Sequence, residues 1–399
     1  LKHTLVDLGM SPLCESYVSP ENLAAMEPFY PLRVWVCSQC LLVQLQEYVA
    51  AEQIFTEYAY FSSYSTAWLE HAEDYVALIS KRLSLGPESL VVELASNDGY
   101  LLQYFVRRGV PALGIEPAAN VAAAAAKKGV ETLVRFFGRE LAEELRAKGR
   151  QADLVVGNNV LAQVPDLNSF VAGMRVLLKP QGTATLEFPH LLRLMEENQF
   201  DTIYHEHFSY FSALAVQKIV AAHGLTLFDV DELWTHGGSL RVYLRPAEDA
   251  SRPESPRVAE LVRREIEAGL DRPESYARFE ERVRGTKRRL LSLLIGLKEQ
   301  GKRIAGYGAP GKGNTLLNYC GIGTDFLDFT VDRNPYKQGK FLPGTHVPIH
   351  APERIDQEKP DYVFILPWNF KDEIVAQLAH ARGWGARFIV PIPEPGILP

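Results

Sequence analysis

The sequence predicts an α/β protein in which two Rossmann-like units follow a small cysteine-bearing module. Three observations carry that expectation. A short apolar strand at residues 91–94 runs into a polar turn and a helix, and further strands follow in βα alternation. The final third repeats the same order from residue 303 onward. Near the start, Cys37 and Cys40 form a C-x-x-C pair among alternating apolar residues.

Length and composition bound the rest. A chain of 399 residues exceeds the size at which one core keeps growing, so two or three domains are expected. The expected division is a module at 1–53, a cofactor-binding domain at 54–244, a linker and long helix at 245–300, and a Rossmann-like domain at 301–399. The net charge of −7, with a pI near 5.9, argues against nucleic acid as the partner. No apolar run reaches ~18 residues and no basic-then-apolar leader opens the chain, so a cytoplasmic protein with no membrane partner is expected. Four cysteines are too few for a disulfide scaffold.

In the first module, the pair Cys37 and Cys40 looks like half of a zinc ribbon. A structural zinc wants four ligands, and Cys14 lies in a Ser-Pro-Leu-Cys stretch without a paired partner. Because the chain opens at Leu1, an upstream C-x-x-C is expected to be missing from it. The alternative is a pair of buried thiols in a hairpin. Residues 55–65 then gather aromatics and hydroxyls before a helix predicted at 67–83. Tyr58 and Tyr60 in this stretch read either as packing or as a lid over a ligand.

The stretch 91–102 is the expected floor of a cofactor site. Glu93 breaks its apolar run, and a carboxylate inside a core strand is costly unless paired, so a cationic or donor-rich partner is expected at the strand's end. Asn97, Asp98 and Gly99 make the turn into the helix. About 20 residues on, a second strand ends in Glu116, placed to accept from both hydroxyls of a ribose. A dinucleotide loop would need G-x-G-x-x-G, whereas here Ala95, Ser96, Asn97, Asp98 and Gly99 follow the strand. An acid with small polar groups suits a sulfonium and its amino-acid tail better than a pyrophosphate. The stretch resembles motif I of class I S-adenosylmethionine (SAM)-dependent methyltransferases. A third strand, 153–159, ends in Asn158 and Asn159, which would meet the adenine or the methionine part of such a cofactor.

After a helix near 167–178, the Lys-Pro-Gln-Gly at 179–182 reads as a turn entering a strand at 183–190. The densest polar cluster follows at 201–212 and contains Tyr204, His205, Glu206 and His207. It reads as metal ligands, as a general base with orienting partners, or as an exposed aromatic loop; H-x-H without an H-E-x-x-H helix is weak support for metal. His236, Gly237 and Gly238 precede another strand, where backbone can approach a ligand. Residues 245–275 read as a linker, and 274–300 as a long helix joining domains. In the final third, Gly308 to Asn314 nearly match a P-loop, but Gly313 stands where Ser or Thr would hold magnesium. Backbone amides there, with Lys312, would bind the phosphates of a nucleotide substrate, or else the glycines form a structural turn.

Together, the C-x-x-C ribbon, the E-L-A-S-N-D-G loop, Tyr-His-Glu-His-Phe, His-Gly-Gly-Ser-Leu-Arg and Gly-Tyr-Gly-Ala-Pro-Gly-Lys-Gly-Asn-Thr resemble the sugar C-methyltransferases of deoxysugar pathways, over nearly the whole chain. The resemblance implies a class I SAM methyltransferase domain, a zinc module and a Rossmann-like C-terminal domain around a nucleotide-linked ketosugar, usually dTDP-linked and methylated at C3. It implies His207 as the base, Glu206 and Tyr204 as its orienting or sugar-binding partners, and Tyr58 as a closing residue. Tyr60, Gln163, His236, Gly237, Gly238, Lys312 and Asn314 would line the substrate, in a monomer or homodimer. Gln163 departs from the family, where histidine is common; an amide bonds a substrate oxygen but moves no proton. Other classes remain in view: an O- or N-methyltransferase, a non-catalytic nucleotide-sugar binder, or a P-loop phosphotransferase.

Overall fold

The computed structural model describes residues 3–55 and 61–398, which form three sheets. Tyr58 and Tyr60, the expected lid, lie outside the described residues. The first sheet is antiparallel, in the order β1 (His3–Ser11), β2 (Tyr30–Val36), β3 (Val43–Leu45) and, from far along the chain, β9 (Ser209–Tyr210). Leu32, Val34 and Val36 alternate inward on β2, as a half-buried strand requires. They meet the helix Pro273–Glu299, whose Phe279, Val283, Leu290 and Leu294 form its apolar stripe. The same core continues into Ile304 and Leu316, so the first sheet and the last share one interior.

The second sheet runs β10 (Leu225–Leu233), β11 (Ser239–Pro246), β8 (Leu178–Pro189), β7 (Ala152–Asn158), β4 (Val91–Leu94), β5 (Ala112–Ile115) and β6 (Glu131–Leu133). Only β11 opposes the others. Every residue of β4 is buried, as befits a strand covered on both faces. Strand order reverses between β4 and β7, and ligands of such sheets bind at the carboxyl ends beside that reversal.

The third sheet runs β14 (Ile349–His350), β13 (Thr330–Val331), β12 (Ile304–Tyr307), β15 (Tyr362–Ile365), β16 (Arg387–Val390) and β17 (Gly396–Leu398), with only β17 antiparallel. It repeats the reversal, here between β12 and β15.

Two local expectations change. Residues 179–182 belong to β8, which pairs with β7 from Leu178; a Cβ on Gly182 would lie 2.8 Å from the Ala152 carbonyl, so the glycine serves close strand packing. The supposed linker carries a helix of its own, Pro256–Glu267, capped by Ser255. Its buried Glu265 accepts from the amides of Ala213 and Leu214 at 2.7 and 2.9 Å and lies 2.8 Å from His190, fixing the segment to the second sheet. No helix among the described residues is long and apolar enough to cross a membrane.

Candidate active site

At the end of β4 the chain coils through left-handed positions at Ala95, Asn97 and Gly99, with φ of 56°, 47° and 72°. A Cβ on Gly99 would sit 3.1 Å from that of Ala125, so both conformation and space favour glycine there. Glu116, at the end of β5, latches this turn: one carboxylate oxygen accepts from the Asn97 amide and the other from that of Ala118, each at 2.9 Å. The acid expected to take two ribose hydroxyls therefore already holds one backbone donor on each oxygen, with a second lone pair on each remaining. Burial raises its pKa.

The neighbouring acids also have partners different from those expected. Glu93 has no cationic partner among the described residues. Burial chiefly, against a hydrogen bond from Tyr100 and with the charges of Glu116 and Asp98 adding, pushes its carboxyl well above the usual range. Asp98, expected to face a cationic ligand, pairs with Lys128 at 3.1 Å. Asn97 Oδ1 accepts from the Ser62 amide at 3.0 Å.

What fits a ligand is the set of buried polar atoms left over. Ser96 Oγ, Asp98 Oδ1, both polar atoms of the Asn158 side chain and Asn159 Oδ1 have no hydrogen-bond partner among the described residues. Each such atom costs about 1–3 kcal/mol while unpaired. They ring the carboxyl ends of β4 and β7, and mixed donors and acceptors of this kind suit the amino, carboxylate and hydroxyl groups of SAM.

The Tyr-His-Glu-His segment is held from three sides. The Phe208 amide donates to Ala162 at 2.7 Å, the Leu45 amide to Phe208 at 2.9 Å, and Thr315 Oγ1 to Ile203 at 3.0 Å. The turn brings residues three apart together. The rings of Tyr204 and His207 lie 4.2 Å apart between centroids. His205 points elsewhere, with Nε2 3.2 Å from the Pro31 carbonyl.

Glu206 does not orient His207. Its Oε1 accepts from the Cys14 thiol at 3.6 Å, and burial, with Glu15 adding, raises its pKa. The backbone of Thr202 is the neighbour that favours the protonated form of His207. Burial, then His236, and also Lys312 drive the imidazole pKa down to about 3, so the ring is neutral near pH 7 and its second nitrogen is an acceptor. Beside it is a cavity of about 10 Å³, lined by Ala162, Pro189, Ser209 and Tyr210 among others. Gln163 is half-buried on the turn Leu161–Gln163, next to Ala162.

The C-terminal unit reaches this place through Lys312 and Trp368. Lys312 Nζ donates to Asn369 Oδ1 at 2.8 Å and lies 4.6 Å above the Trp368 ring. The Trp368 indole donates to Asp201 Oδ2 at 2.7 Å. Burial lowers the Lys312 pKa to about 8, opposed by Asp201, whose own carboxyl burial raises to about 6. Gly237 packs on the same indole; a Cβ there would lie 2.9 Å from Trp368, and one on Gly238 2.9 Å from Arg193. The glycine pair thus admits protein neighbours, where approach to a ligand was expected. His236, at φ 56°, is exposed beside Trp68, ring centroids 5.4 Å apart.

Asn314 is fully enclosed and donates to the Cys14 carbonyl at 2.6 Å, which makes it a seam residue. The near-P-loop is likewise covered. Tyr17 and Lys337 both donate to the Ala309 carbonyl, at 2.6 and 2.8 Å, and the Ala309 amide donates to Asp332 at 2.7 Å. The loop 14–17 occupies the place expected for phosphates.

Sequence reading passed over Asp201 and a second acid, Glu187. Glu187 is fully buried at the end of β8, where it accepts from Arg241 at 2.9 Å and Thr235 at 3.0 Å and meets His71 at 3.0 Å. Burial acts to raise its pKa, but His71 and Arg241 outweigh it and the carboxyl stays low. Thr235 adjoins His236, so this network fixes the His236 loop. The available signal was an acid inside an apolar strand, as at Glu93.

Cys37 and Cys40 lie at the β2–β3 connection as free thiols. No group of three or more His, Cys, Asp or Glu suited to a metal occurs among the described residues, and Cys14 is engaged with Glu206. Two thiols do not complete a zinc site.

The seven-stranded sheet with one reversed strand, and the polar set at its switch point, define a class I SAM-dependent methyltransferase. Three family models match the chain: "Putative zinc binding domain" at residues 1–55, "Methyltransferase domain" at 68–230 and "C-methyltransferase C-terminal domain" at 234–393. C-methyltransferase NovU of Streptomyces niveus is 38% identical over 394 residues, 99% of this chain and 94% of that protein. Among solved structures, the PH0226 protein of Pyrococcus horikoshii OT3 matches at TM-score 0.39 and 16% identity, over 51% of this chain and 99% of that one. Magnesium protoporphyrin IX methyltransferase of Synechocystis PCC 6803 with bound SAM matches at TM-score 0.34 and 15% identity, over 44% and 78%. The chain belongs to the C-methyltransferase family.

Proposed function

We propose that this C-methyltransferase acts in deoxysugar biosynthesis on a dTDP-linked 4-keto-6-deoxyhexose and methylates C3. The observation that supports the reading most is His207: an imidazole whose pKa burial holds near 3, so that it is neutral near pH 7, packed against the Tyr204 ring at 4.2 Å between centroids, beside a small cavity. Carbon becomes a nucleophile only after its α-proton leaves, so the site needs a positioned base and an acid for the enolate oxygen. His207 is that base, and Tyr204 orients the ring or bonds the sugar. Gln163, His236 and Lys312 are the polar groups offered to the substrate. Ser96, Asp98, Glu116, Asn158 and Asn159 hold SAM, which supplies the methyl group.

Proton NMR of a dTDP-4-keto-6-deoxyhexose in deuterated water with SAM tests this. Loss of the C3 proton signal together with a new methyl singlet, both abolished by His207→Ala, is the expected result. An unchanged sugar, with SAM binding intact by calorimetry, would overturn the substrate class.

A further inference from the structure

A base whose conjugate acid is as strong as that of His207 removes a carbon-bound proton only if the charge arriving on oxygen is met firmly. Lys312 is a candidate cation for that task at the seam between the second and third sheets. Trp368 is its hub: Lys312 lies over the ring face, Asp201 takes the indole N–H, and Gly237 packs on the ring edge. Asp201 belongs to the turn Phe200–Thr202, which leads into the segment carrying His207, and Gly237 follows His236. The ammonium thus sits at the joint to which the segments carrying both histidines are tethered. Asn369 takes one of its three protons. The crevice of its own unit is filled by residues 14–17.

We propose that Lys312 is a catalytic residue: its ammonium meets the substrate carbonyl oxygen while His207 takes the proton from the adjacent carbon. The inference rests on the ketosugar reading above. The C–H bond breaks and its proton passes to the unprotonated nitrogen of the neutral imidazole. Its electron pair becomes the C=C bond, and the carbonyl π pair settles on the oxygen facing Lys312. When the carbon accepts the methyl group, the C=C pair forms the new C–C bond, the pair of the broken S–C bond stays on sulfur, and the oxygen pair returns to restore C=O. The titratable and charged groups facing the ammonium are Asp201, His207 and His236, and Asp201 is the one that favours its charged form. The ammonium is present below about pH 8, so enolisation should fall as pH rises through that value.

The test follows deuterium wash-in at C3 of dTDP-4-keto-6-deoxyglucose with the full-length protein, without a methyl donor and above the buffer rate. At saturating sugar, Lys312→Met should slow exchange by roughly 10²–10³-fold, as removal of an oxyanion donor does. The limb near pH 8 should vanish with it, and Lys312→Arg should restore part of the rate. Thermal melts and sugar affinity report whether each variant is folded and loaded. If Lys312→Met exchanges as fast as wild type once saturated and differs only in affinity, Lys312 is a binding group and the inference falls while the ketosugar reading stands. If wild type itself washes in no deuterium, both fall.

Discussion

The second and third sheets carry the same device at their switch points and use it differently. In each, an acid at the end of the second strand accepts a backbone amide from the turn after the first: Glu116 from Asn97 at 2.9 Å, Asp332 from Ala309 at 2.7 Å. Each acid then accepts a second amide two residues on, Ala118 for Glu116 and Asn334 for Asp332. Around the first latch, among the described residues, buried polar atoms of Ser96, Asp98, Asn158 and Asn159 are left without partners. Around the second, Tyr17, Lys337 and Cys14 from loops of the chain itself fill the space. The same local motif is therefore a ligand site or a packing joint according to what the rest of the fold lays over it. Lys312 follows from that: with its own crevice closed, it serves the neighbour's.

The largest expected contrast is catalytic. His207→Ala should lower methyl transfer by roughly 10²–10⁴-fold while SAM affinity stays within about twofold, the range for loss of a general base. Asp332→Asn, at the filled crevice, should leave the rate within a few-fold. Equal losses in the two would mean that the third sheet binds a reactant after all. The next contrast is in binding. Glu116→Ala releases the turn that carries the unpaired set and should weaken SAM by about 10–100-fold in calorimetry, equivalent to the ~1–3 kcal/mol of an unmade buried bond. Asp332→Ala should leave SAM affinity unchanged and lower only the melting temperature.

A smaller effect tests the joint itself. Thr315→Val keeps shape but strands the Ile203 carbonyl that Thr315 now satisfies at 3.0 Å. A loss of about 1–3 kcal/mol is expected, read as a melting point lower by several degrees. SAM affinity should not change.

Much of this was legible because the signals are local. The strands of both parallel sheets announce themselves as short apolar runs followed by turns, and Tyr204 with His207 fall together because a single turn brings residues three apart into contact. Partners far along the chain were not legible. Glu206 sits beside His207 in sequence, yet its hydrogen bond goes to Cys14, 192 residues away. Asp201 stood in the polar cluster without a role because its partner Trp368 lies 167 residues on. Glu93 called for a cation and instead lies buried beside Tyr100, where burial raises its pKa. The helix Pro256–Glu267 hid behind proline and charge: its inward stripe is only Val258, Leu261 and Glu265, and the last is an acid.

The finest contrast concerns Asp201, which tunes Lys312 without facing the reacting atoms. Asp201 favours the charged form of Lys312, so Asp201→Asn should move the alkaline limb of the exchange rate to lower pH by up to about one unit, or ~1.4 kcal/mol. Asparagine keeps an oxygen for the Trp368 indole, so the hub should survive. Stability gives an independent sign. The Asp201 carboxyl titrates near 6 in the fold, above its ordinary 3.8, so its protonated form contributes stability that is fully present below 3.8 and is lost as pH rises through about 6. The melting point of Asp201→Asn relative to wild type should therefore improve from pH 4 to pH 8. If the limb shifted while relative stability did not, the carboxylate would be solvated at rest. If stability behaved as expected and the limb stayed put, Lys312 would titrate independently of Asp201, and the seam would be a packing joint like the crevice beside it.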